Sequence, residues 1–226
     1  MLGSLGDRLG YGPWRGLAKL ALVFVLAGPV AAETLQVAAL GDSLTQGYGL
    51  PPSEGFVPQL QEWLDAEGAD AEVLNAGVSG DTTAGGLSRV DWTLTPDVDA
   101  MIVALGGNDL LRGIDPATSR ENLDGILAAA EEAGVPVLLV GIDAPPNYGP
   151  EYKAAFDGMY TDLAEEHDTL LVPDFLGALS RLPDREAAMA RFMQPDGIHP
   201  NAEGVTRIVD ELGPEVLSLL KRARAE

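Results

Sequence analysis

Three short polar runs in this chain combine a reactive side chain with glycine or proline: Gly41-Asp42-Ser43, Gly106-Gly107-Asn108-Asp109 and Asp196-Gly197-Ile198-His199-Pro200. A serine hydroxyl becomes a nucleophile only beside a base, and imidazole is the side chain best suited to accept its proton near neutral pH. The chain offers two histidines. His167 closes a helical pattern between Glu166 and Asp168, where a cation suits the helix dipole. His199 stands in a turn, three residues after Asp196, a spacing that can set a carboxylate against ring Nδ1 and leave Nε2 to face Ser43. A tetrahedral oxyanion also needs preorganised donors, for which the candidates are the N–H groups of Ser43 and Gly77 and the side-chain amide of Asn108. Each residue has a structural alternative: Asp42, Ser43 and Asn108 as helix caps, Asp196 as an Asx turn, and His199 as a turn residue bonded to backbone.

These residues matter together only if the fold brings positions 43, 77, 108 and 199 to one place. Apolar runs at 35–40, 72–75, 100–105, 136–142 and 169–172 read as buried strands. Between and after them, helical periodicity covers 56–67, 83–93, 117–133, 151–167 and 202–220. Continuous apolar strands alternating with helices predict a parallel sheet covered on both faces. The expectation is α/β: a single flavodoxin-like three-layer sandwich with a five-stranded parallel sheet. The first four strands each run into a polar loop, and a parallel sheet delivers all such loops to one edge. Ser43 and His199 are both expected on loops.

Composition narrows the chemistry. With no cysteine, the chain excludes disulfides, thiolate metal sites and a cysteine nucleophile, and two histidines exclude a three-histidine metal site. The formal net charge of -21 disfavours a nucleic-acid partner, although solubility is sufficient reason for it.

The first 32 residues have the pattern of an export signal. Arg8, Arg15 and Lys19 precede an apolar stretch over 20–26, and Val30-Ala31-Ala32 forms a small-residue cleavage site before Glu33. The stretch is too short to span a bilayer, so no stable membrane insertion is expected once it is removed. Loss of three basic residues and Asp7 moves the formal net charge from -21 to -23. The domains expected are therefore a signal peptide over 1–32 and a catalytic domain over 33–226, in a periplasmic or secreted protein.

Taken together, the blocks resemble the SGNH or GDSL hydrolase family. Gly41-Asp42-Ser43-Leu44 is similar to its first block, the segment from Asn75 to Thr82 with Gly77 to its second, Gly106-Gly107-Asn108-Asp109 to its third, and Asp196-Gly197-Ile198-His199-Pro200 to its last. The runs 105–113, 146–149 and 193–201 resemble the periplasmic acyl-CoA thioesterase I, lysophospholipase and arylesterase branch; the likeness weakens over 174–192. The resemblance implies the SGNH hydrolase fold and cleavage of small-molecule esters or thioesters through a seryl-acyl intermediate, without metal or cofactor. Ser43, Asp196 and His199 are then catalytic, and Ser43, Gly77 and Asn108 form the oxyanion hole. The apolar residues Leu110, Leu111 and Ile114, with Pro145 and Tyr148, are expected to line an acyl strip beside Ser43, with packing into the core as the alternative. Two other functions are compatible with the sequence: a carbohydrate O-acetylesterase with the same machinery, and a non-catalytic acyl- or glycan-binding domain.

Overall fold

The computed structural model describes residues 34–225, so the proposed signal segment lies outside the described residues. Strands β1 (Leu35–Gly41), β2 (Ala71–Gly77), β3 (Ala100–Ala104), β4 (Val137–Val140) and β5 (Leu170–Val172) form one sheet in the order β2-β1-β3-β4-β5. Every pairing is parallel. The helices are α1 (Ser43–Gln46), α2 (Phe56–Ala66), α3 (Thr83–Thr93), α4 (Gly107–Arg112), α5 (Pro116–Ala133), α6 (Pro150–Glu166), α7 (Gly177–Ser180), α8 (Arg185–Phe192) and α9 (Ala202–Ala223). This is the expected flavodoxin-like order, and it reverses direction between β1 and β3.

The sheet's period of two divides its side chains between two cores. Val37 and Ala39 of β1 face one cluster with Phe56, Leu60 and Leu64 of α2 and Val205, Ile208, Leu212 and Val216 of α9. Ala38 and Leu40 face the other, with Val90 of α3, Leu123 and Ile126 of α5 and Phe156 of α6. The apolar spacing along α9 is that of a helix burying one stripe, and its start is set by Asn201, whose side chain accepts from the Gly204 N–H.

The strands and five long helices lie close to their expected positions. What periodicity did not reveal is the set of short helices α1, α4, α7 and α8, of four to eight residues, too brief to display a repeating face. The expectation that Ser43 sits on a loop is therefore corrected: it opens α1, capped by the Asp42 side chain.

A buried polar knot ties the second face together. Asp109, fully buried, accepts from the Thr83 N–H at 2.9 Å and hydroxyl at 2.5 Å, and from the Ser119 hydroxyl at 2.9 Å. These donors belong to α3 and α5, so the carboxylate secures α4 between them, with no cationic partner among the described residues. Three hydrogen bonds offset much of the desolvation that burying it requires. Asn108, its neighbour, is thereby held at the sheet's edge.

Candidate active site

The carboxyl ends of β1 and β3 flank the point where the sheet order reverses, and crevices form at such points. Ser43 follows β1 and Asn108 follows β3. His199 arrives from the opposite end of the sequence, in the turn before α9, and its Nε2 stands 2.8 Å from Ser43 Oγ. Its Nδ1 is 2.7 Å from Asp196 Oδ2. For Ser43 to donate to Nε2, the ring must carry its proton on Nδ1, the tautomer that Asp196 favours.

Asp196 also performs its structural alternative. Its Oδ1 accepts from the N–H groups of Ile198 at 2.9 Å and His199 at 3.0 Å, an Asx turn that aims the other oxygen at the ring. The hydrogen bond with His199, followed by the backbone donors, lowers the Asp196 carboxyl from 3.8 to about 2. It is ionised at neutral pH.

Asp42 has the reverse environment. Desolvation, only partly countered by hydrogen bonds from Leu44 and Asn108 and by the nearby His199, raises its carboxyl from 3.8 to about 6. Its Oδ1 accepts from the Leu44 N–H at 2.9 Å, and its Oδ2 from Asn108 Nδ2 at 3.2 Å. A carboxylate only accepts, so it requires Asn108 to present its NH₂ rather than its carbonyl; one amide hydrogen is then left for the cavity. The Ser43 N–H, at the first position of a helical turn, has no intrahelical acceptor.

Gly77 departs from expectation. Its N–H donates to Asn75 Oδ1 at 2.9 Å, and the residue does not line the cavity beside Ser43. Its lack of a side chain has a packing cause: a Cβ would come within 2.4 Å of the Gln46 nitrogen in α1. The glycine lets α1 settle on the end of β2.

Ser43, His199 and Asn108 open into a cavity of about 340 Å³. Of the expected acyl strip, Leu110, Leu111 and Pro145 line it, whereas Ile114 and Tyr148 do not. The Ile114 carbonyl instead accepts from Tyr152 Oη at 2.9 Å, and the Tyr148 ring stacks on Tyr152 with centroids 4.9 Å apart, so both are engaged by Tyr152 of α6. The opposite wall is supplied by Leu176 and Leu179, Ala188 and Met189 of α8, and Ile198. Sequence reasoning missed this wall. Its signal is the scatter of apolar residues over 175–193, which in such short helices shows no period.

Because the folded protein holds the Asp42 proton more tightly than the unfolded chain does, this group's contribution to stability is greatest below pH 3.8 and is lost as pH rises through about 6. At neutral pH the buried charge disfavours the fold by ~3 kcal/mol. Asp42→Asn keeps an acceptor for Leu44 and removes the charge. It should raise stability in urea at pH 7 by ~1–3 kcal/mol, with the advantage vanishing near pH 4, where wild-type Asp42 is already protonated. It should also lower turnover at least tenfold, since an amide at 42 permits Asn108 to turn its carbonyl toward it. A variant less stable than wild type at pH 7, or with full turnover, would contradict this assignment.

Comparison with known proteins agrees with the geometry. The profile of the GDSL-like Lipase/Acylhydrolase family matches residues 39–207. Esterase TesA of Pseudomonas aeruginosa is 43% identical over 202 residues, covering 89% of this chain and 96% of the relative. Thioesterase 1/protease 1/lysophospholipase L1 of Escherichia coli K12 is 36% identical over 205 residues, covering 90% and 93%. The crystal structure of AlinE4, described as an SGNH-hydrolase family esterase, superposes with a TM-score of 0.67 at 45% identity, covering 83% of this chain and 97% of that one. With the family profile spanning most of the described residues and these relatives matching nearly end to end, the chain belongs to the GDSL-like, or SGNH, hydrolase family.

Proposed function

We propose that this ester-hydrolysing enzyme cleaves carboxylic esters and thioesters of medium-length acyl chains by acylating Ser43. The observation that carries the reading is the continuous line from Asp196 through His199 to Ser43 Oγ, at 2.7 and 2.8 Å, opening on an apolar cavity. His199 Nε2 takes the hydroxyl proton as Oγ attacks the carbonyl carbon, and Asp196 stabilises the imidazolium that forms. The carbonyl π bond breaks to give an oxyanion facing the Ser43 N–H and Asn108 Nδ2. The Gly77 N–H joins them only if the Asn75 side chain yields its bond. Collapse expels the alcohol or thiol, which takes the proton from Nε2, and water then repeats the sequence to release the acid.

The arylesterase, thioesterase and lysophospholipase activities in the names of the relatives are proposed as the range of leaving groups. Specificity follows from the cavity walls. Each methylene buried there contributes about 0.8 kcal/mol, so two added carbons raise kcat/KM by roughly tenfold until the wall of Leu176, Leu179 and Met189 ends. An acetyl group would leave that wall unused, which favours an acyl-chain enzyme over a carbohydrate O-acetylesterase.

We further propose that residues 1–32 direct export and are removed, leaving 33–226 as the hydrolase domain in the periplasm or outside the cell. The support is the basic, apolar and small-residue order of that segment. Among the described residues no helix is long and apolar enough to cross a membrane. Mass spectrometry of the exported protein should find Glu33 at the N-terminus; an exported chain still beginning at Met1 would refute cleavage there.

Ser43→Ala and His199→Ala should each reduce p-nitrophenyl ester turnover to near background while the circular dichroism spectrum is unchanged; a folded variant retaining most of its rate would overturn the assignment. Across p-nitrophenyl esters of increasing chain length, kcat/KM should climb beyond acetyl, with a shallower rise in Leu111→Ser and the wild-type rise in Ile114→Ser. A profile peaking at acetyl would favour the carbohydrate-esterase reading instead.

A further inference from the structure

We infer that Tyr48 and Gln194 are positioning residues that hold the His199 imidazole in the orientation that reaches Ser43; this rests on His199 being the base. The two end-on hydrogen bonds of the ring, to Asp196 and Ser43, act on its two nitrogens and not on its faces. One of these bonds must also break during attack. A contact on the ring face restrains the ring while it does. Tyr48 supplies it: the ring centroids are 4.8 Å apart with planes inclined by 40°.

The two side chains differ in burial. Tyr48 is 51% exposed, whereas the His199 side chain is only 14% exposed. Tyr48 thus contributes little to the core and covers the imidazole. Its π face also favours the positive charge that His199 acquires as Ser43 attacks.

A lid of this kind works only if its backbone is registered to the histidine turn, from which it is separated by about 150 residues. Gln194 provides the registration. Its Nε2 donates to the Tyr48 carbonyl at 2.8 Å and to the Pro200 carbonyl at 3.0 Å, using both amide hydrogens. Its backbone N–H donates to the His199 carbonyl at 2.7 Å. One residue therefore ties the segment after Ser43 to both His199 and Pro200. Position 49 is shaped to admit that amide: Gly49 has φ +76°, and a Cβ there would lie 2.3 Å from Gln194 Oε1. Tyr48 does not line the substrate cavity, so its effect should fall on turnover rather than on substrate binding.

The test is steady-state hydrolysis of p-nitrophenyl butyrate by Tyr48→Ala, Tyr48→Phe, Gln194→Ala and the Tyr48→Ala/Gln194→Ala double variant, each verified as folded by thermal melting. Tyr48→Ala should lower kcat about tenfold, the scale of one aromatic contact, with KM within about twofold. Tyr48→Phe, which restores the ring without its hydroxyl, should recover most of the loss. Gln194→Ala should also lower kcat, and the double variant should lose less than the product of the two single losses, because both act through one ring. Unchanged kcat in Tyr48→Ala, a loss confined to KM, a Tyr48→Phe as slow as Tyr48→Ala, or multiplicative losses would each overturn the inference. His199→Ala, run alongside, separates the two levels: if it is inactive while Tyr48→Ala is normal, only the positioning role fails, and if it is active, the assignment of the base fails with it.

Discussion

The Ser43–His199 hydrogen bond joins residues 156 positions apart, and nothing local to either segment can enforce its length. The enforcement comes from the sheet. Because β1 lies between β2 and β3 and all three run parallel, the ends of β1 and β3 open at the same edge, and α9 packs back across one face to return the histidine turn there. The apolar stripe of α9 against α2 and the sheet therefore determines whether His199 stands beside Ser43. Gln194 then refines by direct hydrogen bonds what the core sets only coarsely.

The site also illustrates how two carboxylates of the same type acquire different behaviour from their surroundings. Asp196, partly exposed and supplied with three donors, is strongly acidic; Asp42, buried beneath α1 with two, is held near 6. In the proposed mechanism the first keeps its charge for an imidazolium. The second orients an amide at a thermodynamic cost that the two cores absorb. Neighbouring Asp109 is buried too, but with Thr83 and Ser119 as donors it serves to anchor the helix that carries Asn108.

Much of this was legible in the sequence. The run of apolar residues at 35–40 and the helical spacing over 202–220 locate the two elements that meet at Ser43 and His199, and the three-residue interval from Asp196 to His199 anticipates their contact. Local signals failed where structure is short. The turns carrying Ser43 and Asn108 are helices of four and six residues, and Leu176, Leu179 and Met189 line the cavity from α8 and its surroundings without any periodic mark. Ile114 and Tyr148 were misplaced because apolar character does not say which neighbour a residue meets: Tyr152 engages the Ile114 carbonyl and the Tyr148 ring, and neither residue lines the cavity. Gly77 fits its position by sterics, while its N–H is engaged by Asn75 two positions before it, the Asx-turn spacing that the sequence reading applied to Asp196 and not here.

The most direct measurement is the covalent state of the enzyme in its first turnover. Rapid mixing with a p-nitrophenyl ester, acid quenching within milliseconds and peptide mass spectrometry should reveal one acyl group per enzyme on Ser43, formed with a matching burst of p-nitrophenol, and neither signal in His199→Ala. An acyl group on any other residue, or product release at full rate with no adduct on Ser43 in either protein, would contradict the seryl-acyl mechanism and the catalytic role of the bond between Ser43 and His199.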